Sequence, residues 1–434
     1  MREGRARVRS IAASIREDRY RYFPEWYRRD GGRDLSKRPL FIVGTGFGEA
    51  EFLARGQSGE LDVRGLVDTR LTEFFVDGLL WRATPALRRL PALLGRDAPR
   101  RIGALRRLAV ETLSSGIGLT GNAPLLALTQ WVERARKTPG SLSIIIAQGP
   151  DALRFKRIAS TAGINAMVVT EALRTPDFAH CANGQVNDLL GDMPARIEEF
   201  LALEEALSDE ESVRVLHAVL RYRLTLDHDD IDPVVHHPWR EYFASGLFDW
   251  NDAETLYDVG AFTGDTLLRF MDSTAGRFRR AVCLEPDDHN FFFLEKLRST
   301  LEPSEAERVV CRKQGAWNKV TRLQFSATGD TAARILENAP SGTSSIDVTT
   351  IDAMAAEHGV PTFVKVDAEG ADRQVLEGGL KTFAQHRSRV AVSAYHLQDD
   401  LLVLTRQLRD ANADYRLSMR QYFPGHWDSI IYAY

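Results

Sequence analysis

The sequence contains little cysteine, no long apolar run and no strong excess of charge of one sign. Its three cysteines, Cys181, Cys283 and Cys311, show neither the even-numbered framework of a disulfide-rich domain nor the close spacing of a zinc site. No stretch of about 20 apolar residues occurs, which excludes a transmembrane helix. The formal net charge of -4 disfavours nucleic acid as the main partner.

Length and composition are those of a multi-domain globular protein. Hydrophobic residues make up 44% and charged residues 27% of the 434 residues, which excludes global disorder. A chain of this length exceeds what one hydrophobic core usually covers, so two domains are expected. The basic N-terminus lacks the apolar core of a signal peptide, and the acids Glu3, Glu17 and Asp18 disfavour a transit peptide. We therefore expect a cytoplasmic protein.

The N-terminal half begins with a βαβ pattern. An apolar strand runs into a glycine loop that contains Gly44, Gly46 and Gly48, and a second strand ends at Asp68. This order predicts a Rossmann-like domain over residues 35–185. The third glycine comes one residue earlier than in the dinucleotide fingerprint, and Glu49 occupies its usual position. Two interpretations stay open: a site for a nucleotide or nucleotide-sugar, or a ligand-free scaffold that presents or dimerises the enzyme, which would make the protein a homo-oligomer.

Helical patterns surround this domain. Residues 1–34 predict a helical extension. Its aromatic, arginine-rich stretch from Tyr20 to Tyr27 is expected to cap the next domain, with contact to a membrane surface or nucleic acid as the alternative. Residues 86–136, rich in Leu, Ala and Arg, predict a helical insertion that forms a lid or a dimer contact. Residues 186–248 have apolar residues at helical spacing and predict a linker that packs on the second domain. That domain would span residues 249–434.

Strands and helices alternate through the second domain. The last two strands lack an intervening helix, so they should form an antiparallel hairpin on the edge of an otherwise parallel sheet. The pattern predicts a class I methyltransferase sheet in an α/β fold. The five preceding strands are predicted at residues 256–259, 281–284, 309–312, 363–366 and 390–394, and the hairpin at 415–419 and 429–434.

The most informative segment of this domain joins two strand ends. The run from Asp258 to Thr266 contains Gly260 and Gly264, and Glu285 ends the next strand about twenty residues later. Glycine allows the backbone to lie close under a ligand, and a carboxylate can accept hydrogen bonds from both hydroxyls of a ribose. Together they predict a site for a nucleoside cofactor.

Five motifs in order carry a resemblance to a known family. The domain is similar to the FkbM family of methyltransferases over roughly residues 249–434. The resemblance implies S-adenosylmethionine as the methyl donor and O-methylation of a sugar, polyketide or other natural-product hydroxyl. The motifs are Asp258-Val-Gly-Ala-Phe-Thr-Gly-Asp-Thr266, Glu285-Pro286, Ser345-Ile-Asp-Val-Thr-Thr-Ile-Asp352, Phe363-Val-Lys-Val-Asp-Ala-Glu-Gly-Ala371, and Tyr395-His396 before Asp400-Leu401.

The resemblance also implies a set of donor-binding residues. Asp258 would orient the glycine loop and accept from the donor ammonium or a water, and Glu285 would bind the ribose hydroxyls. Ala316 occupies the place of an adenine contact, whereas Trp317 either stacks on the base or belongs to the core. The full set is Asp258, Gly260, Ala261, Gly264, Asp265, Thr266, Glu285, Pro286, Ala316 and Asp367.

An alcohol is a poor nucleophile until its proton leaves, so a proton acceptor is needed at the carboxyl ends of the strands. His396, Asp367 and Glu369 are the candidates. His396 is favoured because imidazole titrates near neutral pH, with a structural histidine as the alternative. Asp367 and Glu369 either hold donor or acceptor, or cap the next helix. Lys365 could pair with one of these carboxylates.

We predict no metal site. His236 and His237 are adjacent but lack a spaced third ligand, and the acidic run from Asp227 to Asp232 is typical of a solvated loop. The expected substrate is a small-molecule or glycan hydroxyl. A rival hypothesis is a nicotinamide- or nucleotide-sugar-binding protein that acts through the N-terminal Rossmann-like domain.

Overall fold

The computed structural model describes residues 2–30, 34–44, 55, 58–67, 125–126, 128–147, 149–181, 189–326, 334–336 and 344–434. Contacts divide the chain into a larger unit, Met1–Arg19 with Leu189–Tyr434, and a smaller unit, Tyr20–Asp188. Most of the expected insertion at 86–136 lies outside the described residues, as do Gly46, Gly48, Glu49 and Asp68. The sequence-based boundaries at residues 35, 186 and 249 remain predictions.

The described helices and strands up to residue 181 are α1 (Arg2–Glu17), α2 (Glu25–Asp30), β1 (Leu40–Val43), β2 (Val63–Val67), β3 (Leu125–Leu126), α3 (Leu128–Lys137), β4 (Leu142–Ile145), α4 (Gly149–Ala162), β5 (Ala166–Val168) and α5 (Val169–Leu173). In the smaller unit the strands pair in parallel in the order β3-β2-β1-β4-β5. This is the strand order of a Rossmann-like half sheet, as predicted.

Apolar residues on both faces explain why this sheet is buried. Along β1, Leu40 and Ile42 pack into one core cluster, whereas Phe41 and Val43 pack into another. Strands covered on both faces read as continuous apolar runs, which is why β1 has no polar alternation.

From residue 189 the described elements are α6 (Ile197–Ala202), α7 (Glu210–Thr225), α8 (His228–Ile231), β6 (Thr255–Val259), α9 (Asp265–Ser273), β7 (Arg280–Leu284), α10 (Asp288–Thr300), α11 (Pro303–Ala306), β8 (Val309–Arg312), β9 (Gly315–Ala316), β10 (Thr321–Ser326), β11 (Arg334–Leu336), β12 (Ser344–Thr349), α12 (Ile351–His358), β13 (Phe363–Val366), α13 (Asp372–Glu377), α14 (Leu380–His386), β14 (Arg389–Ser393), α15 (Asp400–Ala411), β15 (Leu417–Gln421) and β16 (Ser429–Ala433).

The main sheet of the larger unit has the order β15-β16-β14-β13-β6-β7-β8. The five strands from β14 to β8 pair in parallel, and β16 is antiparallel to both β14 and β15. The predicted edge hairpin and the class I methyltransferase sheet are therefore confirmed. Because the carboxyl ends of parallel strands meet at one edge, residues after β6, β7, β13 and β14 become neighbours.

A second sheet, which the sequence analysis did not predict, follows β8. Its described strands have the order β11-β10-β12-β9, and β9 pairs in parallel with β12. Trp317 follows β9 and packs with Ile346, Val348 and Ala371, so it belongs to the core rather than to a stacking surface.

The N-terminal extension does not behave as one element. Helix α1 packs against α7 and α6 of the larger unit, where Val8, Ala12 and Ile15 are buried. Phe23 and Tyr27 instead belong to a core cluster of the smaller unit. The expected extension over residues 1–34 is therefore divided between the two units, because the apolar stripe of α1 packs on α6 and α7.

Within the described ranges, no helix is both long and apolar enough to cross a bilayer.

Candidate active site

Four adjacent strands bring most of the predicted site residues to one edge of the main sheet. The glycine loop follows β6, Glu285 follows β7, Asp367 follows β13, and His396 lies three residues after β14. In the sheet these strands are neighbours in the order β14-β13-β6-β7. The structure therefore groups residues that lie up to 138 positions apart in the sequence.

The two glycines of the loop are required by contacts within the protein. Gly260 has φ +76°, and a Cβ there would lie 1.9 Å from the backbone oxygen of Asp367. Gly264 has φ +96°, and its Cβ would lie 2.4 Å from the side chain of Leu297. Glycine is needed because the neighbouring strand end and helix occupy the space that a side chain would fill. The loop's close packing is thus fixed without reference to a ligand.

Glu285 is joined directly to the glycine loop. Its Oε2 accepts from the backbone N–H of Phe262 at 2.8 Å, and its Oε1 accepts from that of Asp287 at 2.9 Å. The side chain is 6% exposed, and burial raises its pKa to about 7 against the opposing effect of these two donors. Each carboxylate oxygen has two lone pairs, so each keeps one acceptor position for a further hydroxyl.

Asp258 lies beneath the loop rather than on its surface. It is fully buried, and Oδ1 lies 3.3 Å from Nζ of Lys365, its register partner on β13. Lys365 also donates to the carbonyl oxygens of Val259 at 3.2 Å and Gly260 at 2.5 Å. Burial raises the pKa of Asp258 to about 6, although Lys365 opposes this shift. The sequence suggested Asp367 or Glu369 as the partner of Lys365, and this is wrong: the ion pair in the structure is with Asp258, which lies opposite Lys365 in the strand register.

The other predicted donor contacts differ in exposure. Ala261, Thr266 and Ala316 are nearly fully buried. Asp265 is the first residue of α9 and pairs with Arg269 at 3.2 Å. Pro286 follows Glu285 and is partly exposed. The next residue, Asp287, caps α10 by accepting from the N–H groups of His289 and Asn290.

Asp367 is the point where several side chains converge. The hydroxyl of Tyr242 donates to Oδ2 at 2.9 Å, and that of Tyr395 donates to Oδ1 at 3.4 Å. Burial disfavours the ionised form, but His396, Lys365 and the Tyr242 hydroxyl more than offset it, so the pKa of Asp367 is lowered. Asp367 therefore carries a negative charge at the edge of the sheet.

His396 is held by a carboxylate that the sequence analysis did not select. Its Nδ1 lies 2.8 Å from Oδ2 of Asp372, and its side chain is 3% exposed. The same carboxylate accepts from the N–H groups of Ala368 and Gly370, so Asp372 closes the turn before α13. Burial opposes protonation of the imidazole, yet Asp372 and Asp367 raise the pKa of His396. In the described part of the chain, no side chain caps α13, whose N-cap residue is Ala371.

Glu369 occupies a strained position beside this imidazole. Its φ is +50°, a left-handed conformation that costs a non-glycine residue about 1–2 kcal/mol. Oε2 lies 3.7 Å from Nε2 of His396. Burial raises the pKa of Glu369 to about 8, and Asp367 and Asp372 add to this against the opposing effect of His396.

Further acids border the same edge from segments assigned to the linker and the tail. Glu241 pairs with Arg269 at 2.6 Å, and burial raises its pKa to about 7 although Arg269 opposes the shift. Asp428 has φ +58°, and burial together with Glu241 and Asp367 raises its pKa well above the usual value. The edge is therefore rich in carboxyl groups, which suits a cationic ligand.

Some of these residues carried no usable sequence signal. Tyr242 and Glu241 come from an irregular segment before β6, and nothing in their spacing indicates that they reach Asp367. Asp372 could have been found, because an acid in the first turn of a predicted helix is a standard capping signal.

Comparison with known proteins agrees with this geometry. Residues 258–417 match the family model described as the Methyltransferase FkbM domain. None of the curated proteins matches the chain. The family expected from the sequence motifs is thus confirmed.

The chain is also similar to solved structures of methyltransferases. The chain is similar over 99% of its length to 99% of the methyltransferase FkbM from Methylobacillus flagellatus KT, with 24% identity and a TM-score of 0.75. It also matches precorrin-6y C5,15-methyltransferase from Geobacter metallireducens GS-15 (14% identity, 42% of this chain and 81% of that chain, TM-score 0.26). A third match is human N-acetylserotonin methyltransferase in complex with SAM (11% identity, 57% of this chain and 66% of that chain, TM-score 0.25).

Proposed function

The chain is an S-adenosylmethionine-dependent methyltransferase with an FkbM domain at residues 258–417, and we propose that it transfers the methyl group to a hydroxyl of a sugar, glycan or natural-product precursor. The observation that carries this proposal is the junction of two sites at one sheet edge. A buried acid is joined to a glycine loop on β6 and β7, and a histidine–carboxylate cluster follows the adjacent β13 and β14.

The residues present fit the donor. S-adenosylmethionine supplies a methyl group on a positively charged sulfur. Both oxygens of Glu285 already accept one backbone N–H each, and each keeps a lone pair for one of two vicinal ribose hydroxyls. The glycine loop presents backbone groups beside this carboxylate, and the surrounding acids favour a ligand with positive charge.

The neighbouring cluster suits a hydroxyl acceptor. Asp367, Glu369 and His396 lie at the strand ends next to the glycine loop, where a group can be aligned with the donor methyl. An alcohol must lose a proton as its oxygen attacks, and this cluster places two partly exposed carboxylates beside a buried imidazole, any of which can accept that proton. The oxygen forms the new bond to the methyl carbon, the electron pair of the broken bond passes to sulfur, and the proton leaves the hydroxyl.

The test uses donor labelled with ¹³C in the methyl group and a small-molecule and glycan fraction as the acceptor pool. We expect transferred label in a methoxy group, which its carbon chemical shift distinguishes from an N-methyl or S-methyl group. Label only on nitrogen, carbon or sulfur would contradict the proposed acceptor class while leaving the methyltransferase activity intact.

A variant separates donor binding from turnover. His396→Ala should abolish methyl transfer while donor affinity, measured by calorimetry, stays within about twofold, because His396 contacts Asp367 and Asp372 but not Glu285. Normal turnover by this variant would assign His396 a purely structural role.

For the smaller unit we propose a nucleotide or nucleotide-sugar site at the end of β1. The parallel order β3-β2-β1-β4-β5 changes direction between β1 and β4, which is where such sheets bind nucleotides. Gly44 ends β1 with φ +95°, and its Cβ would lie 2.7 Å from that of Ala147. Titration with NADH and with a nucleoside diphosphate sugar tests this proposal.

A further inference from the structure

The buried imidazole of His396 has one nitrogen, Nε2, that lies near two carboxylates without forming a hydrogen bond to either. Nε2 lies 3.3 Å from Oδ1 of Asp367 and 3.7 Å from Oε2 of Glu369. Among the described residues, none forms a hydrogen bond of acceptable geometry with this atom, although it is shielded from solvent. A buried polar atom without such a bond is costly and calls for an explanation.

The distances around this nitrogen suggest an explanation. The Asp367 oxygen lies at 3.3 Å, and the Glu369 oxygen, at 3.7 Å, is beyond hydrogen-bond distance. Ligand atoms at about 2.1–2.2 Å from one metal ion lie roughly 3 Å apart when adjacent. The separations of Nε2 from the two acids are close to that value, so they match the spacing of ligands around a shared ion.

The opposite side of the ring is arranged as in metal-ligating histidines. Nδ1 lies 2.8 Å from Oδ2 of Asp372, and Asp372 is itself held by the N–H groups of Ala368 and Gly370. A carboxylate on the second nitrogen fixes the ring and its tautomer, which leaves the lone pair of Nε2 for a ligand. Ligand atoms of Asp367, Asp372 and His396 also lie within 4.8 Å of one another.

We propose that Nε2 of His396 and the carboxylates of Asp367 and Glu369 bind one divalent cation, and that Asp372 is the positioning residue for the histidine. Two carboxylates and one imidazole suit Mn²⁺ better than Mg²⁺, since Mg²⁺ favours oxygen ligands alone. The sequence analysis predicted no metal, because these ligands come from two separate strand ends and have no recognisable spacing.

The site rests on the proposed function and refines it. A cation at this point would coordinate the acceptor hydroxyl and lower its pKa, so that the proton leaves to water and the oxygen attacks the methyl carbon. The bond from that carbon to sulfur breaks as the new bond to oxygen forms. The ion is not consumed, and no oxidant or reductant is needed.

The experiment measures binding and turnover separately on the full-length protein. After dialysis against EDTA, Mn²⁺ is added and free Mn²⁺ is followed by electron paramagnetic resonance. We expect one Mn²⁺ bound per chain, loss of methyl transfer after EDTA treatment and recovery with Mn²⁺. Donor affinity, measured by calorimetry, should not change with EDTA.

Variants test the ligands and the positioning residue. Glu369→Gln keeps the size of the side chain and should weaken Mn²⁺ binding at least about tenfold, and Asp372→Asn should weaken it about 10–100-fold. Asp288→Asn is the control for nonspecific binding, because this acid is 83% exposed and pairs with Lys313 outside the cluster. Thermal melting confirms that each variant is folded.

Two outcomes separate this inference from the proposed function. Methyl transfer that is insensitive to EDTA, with no Mn²⁺ bound by the folded protein, would overturn the metal site and leave the imidazole as the proton acceptor. Specific Mn²⁺ binding that is lost in Glu369→Gln, without transfer to any hydroxyl, would support the site and contradict the proposed reaction. Equal Mn²⁺ affinity of the parent and Glu369→Gln would also refute the assignment.

Discussion

Replacing Glu285 with glutamine tests the donor site most directly. The substitution keeps the length of the side chain but removes its charge. Glutamine has one carbonyl oxygen and one NH₂ group, so it can accept from only one of the two backbone N–H groups of Phe262 and Asp287. It also loses the second position that would accept a ribose hydroxyl.

The magnitude follows from the hydrogen bonds that change. A hydrogen bond to a charged group contributes about 1.5–3 kcal/mol, and a neutral one about 0.5–1.5 kcal/mol. Two charge-assisted bonds to the ribose would become one neutral bond, so donor binding should weaken by at least about 1.5 kcal/mol. That corresponds to roughly a tenfold or larger increase in Kd.

Calorimetric titration of the donor measures this change. Asp288→Asn is the matched control, because it removes an acid three residues further along the chain whose side chain is 83% exposed. Its donor affinity should equal that of the parent. Since Glu285→Gln leaves a backbone N–H without its acceptor, thermal melting must show that the variant is folded at the titration temperature.

A folded Glu285→Gln protein with the parent's donor affinity would refute the reasoning. The carboxylate would then serve only to join the glycine loop to β7, and the donor would have to be held elsewhere. A loss of affinity shared by Asp288→Asn would point to general electrostatic attraction rather than to hydrogen bonds of one carboxylate.

Two further predictions follow from the loop. Gly260→Ala should lower the free energy of unfolding by roughly 3 kcal/mol or more, because its Cβ would meet a backbone oxygen at 1.9 Å. Gly246→Ala, at φ +80° with no atom within 4 Å, should lower it by only about 1–2 kcal/mol, the cost of a left-handed conformation. Urea unfolding compares the two variants, and equal losses of stability would contradict the contact at Gly260. Burial raises the pKa of Glu285 to about 7, and hydrogen bonds from the ribose hydroxyls would favour its ionised form. Binding of S-adenosylmethionine near pH 6 should therefore release a proton. Its affinity should fall about tenfold for each pH unit below about 7. Calorimetry in buffers of different ionisation enthalpy measures the release, and an affinity that is constant from pH 5.5 to 8 would contradict it.

Local patterns were sufficient for the main sheet. Strands β6, β7 and β13 are mostly apolar runs bounded by glycine or acidic residues, and β6 leads into an amphipathic helix. These patterns depend on short-range spacing, which a sequence shows directly. Likewise, the missing helix between β15 and β16 was enough to predict the antiparallel hairpin.

Contacts between distant segments were not predictable in the same way. The apolar stripe of α1 shows that the helix packs on something, but not that its partners are α6 and α7 about 200 residues away. Tyr242 reaches Asp367 across 125 positions through a single hydroxyl, which no periodicity records. The partner of Lys365 depended on the register of β13 against β6, since a shift of one residue would place it on the opposite face.

The donor side of the site is held in place by bonds that do not involve a ligand. Lys365 fixes the carbonyl oxygen of Gly260, and Glu285 fixes the N–H of Phe262, so both sides of the loop are anchored to neighbouring strands. A loop ordered in this way loses little conformational freedom when a ligand binds. The buried pair of Asp258 and Lys365 therefore stabilises the loop against which, under the proposed function, the donor and the acceptor align.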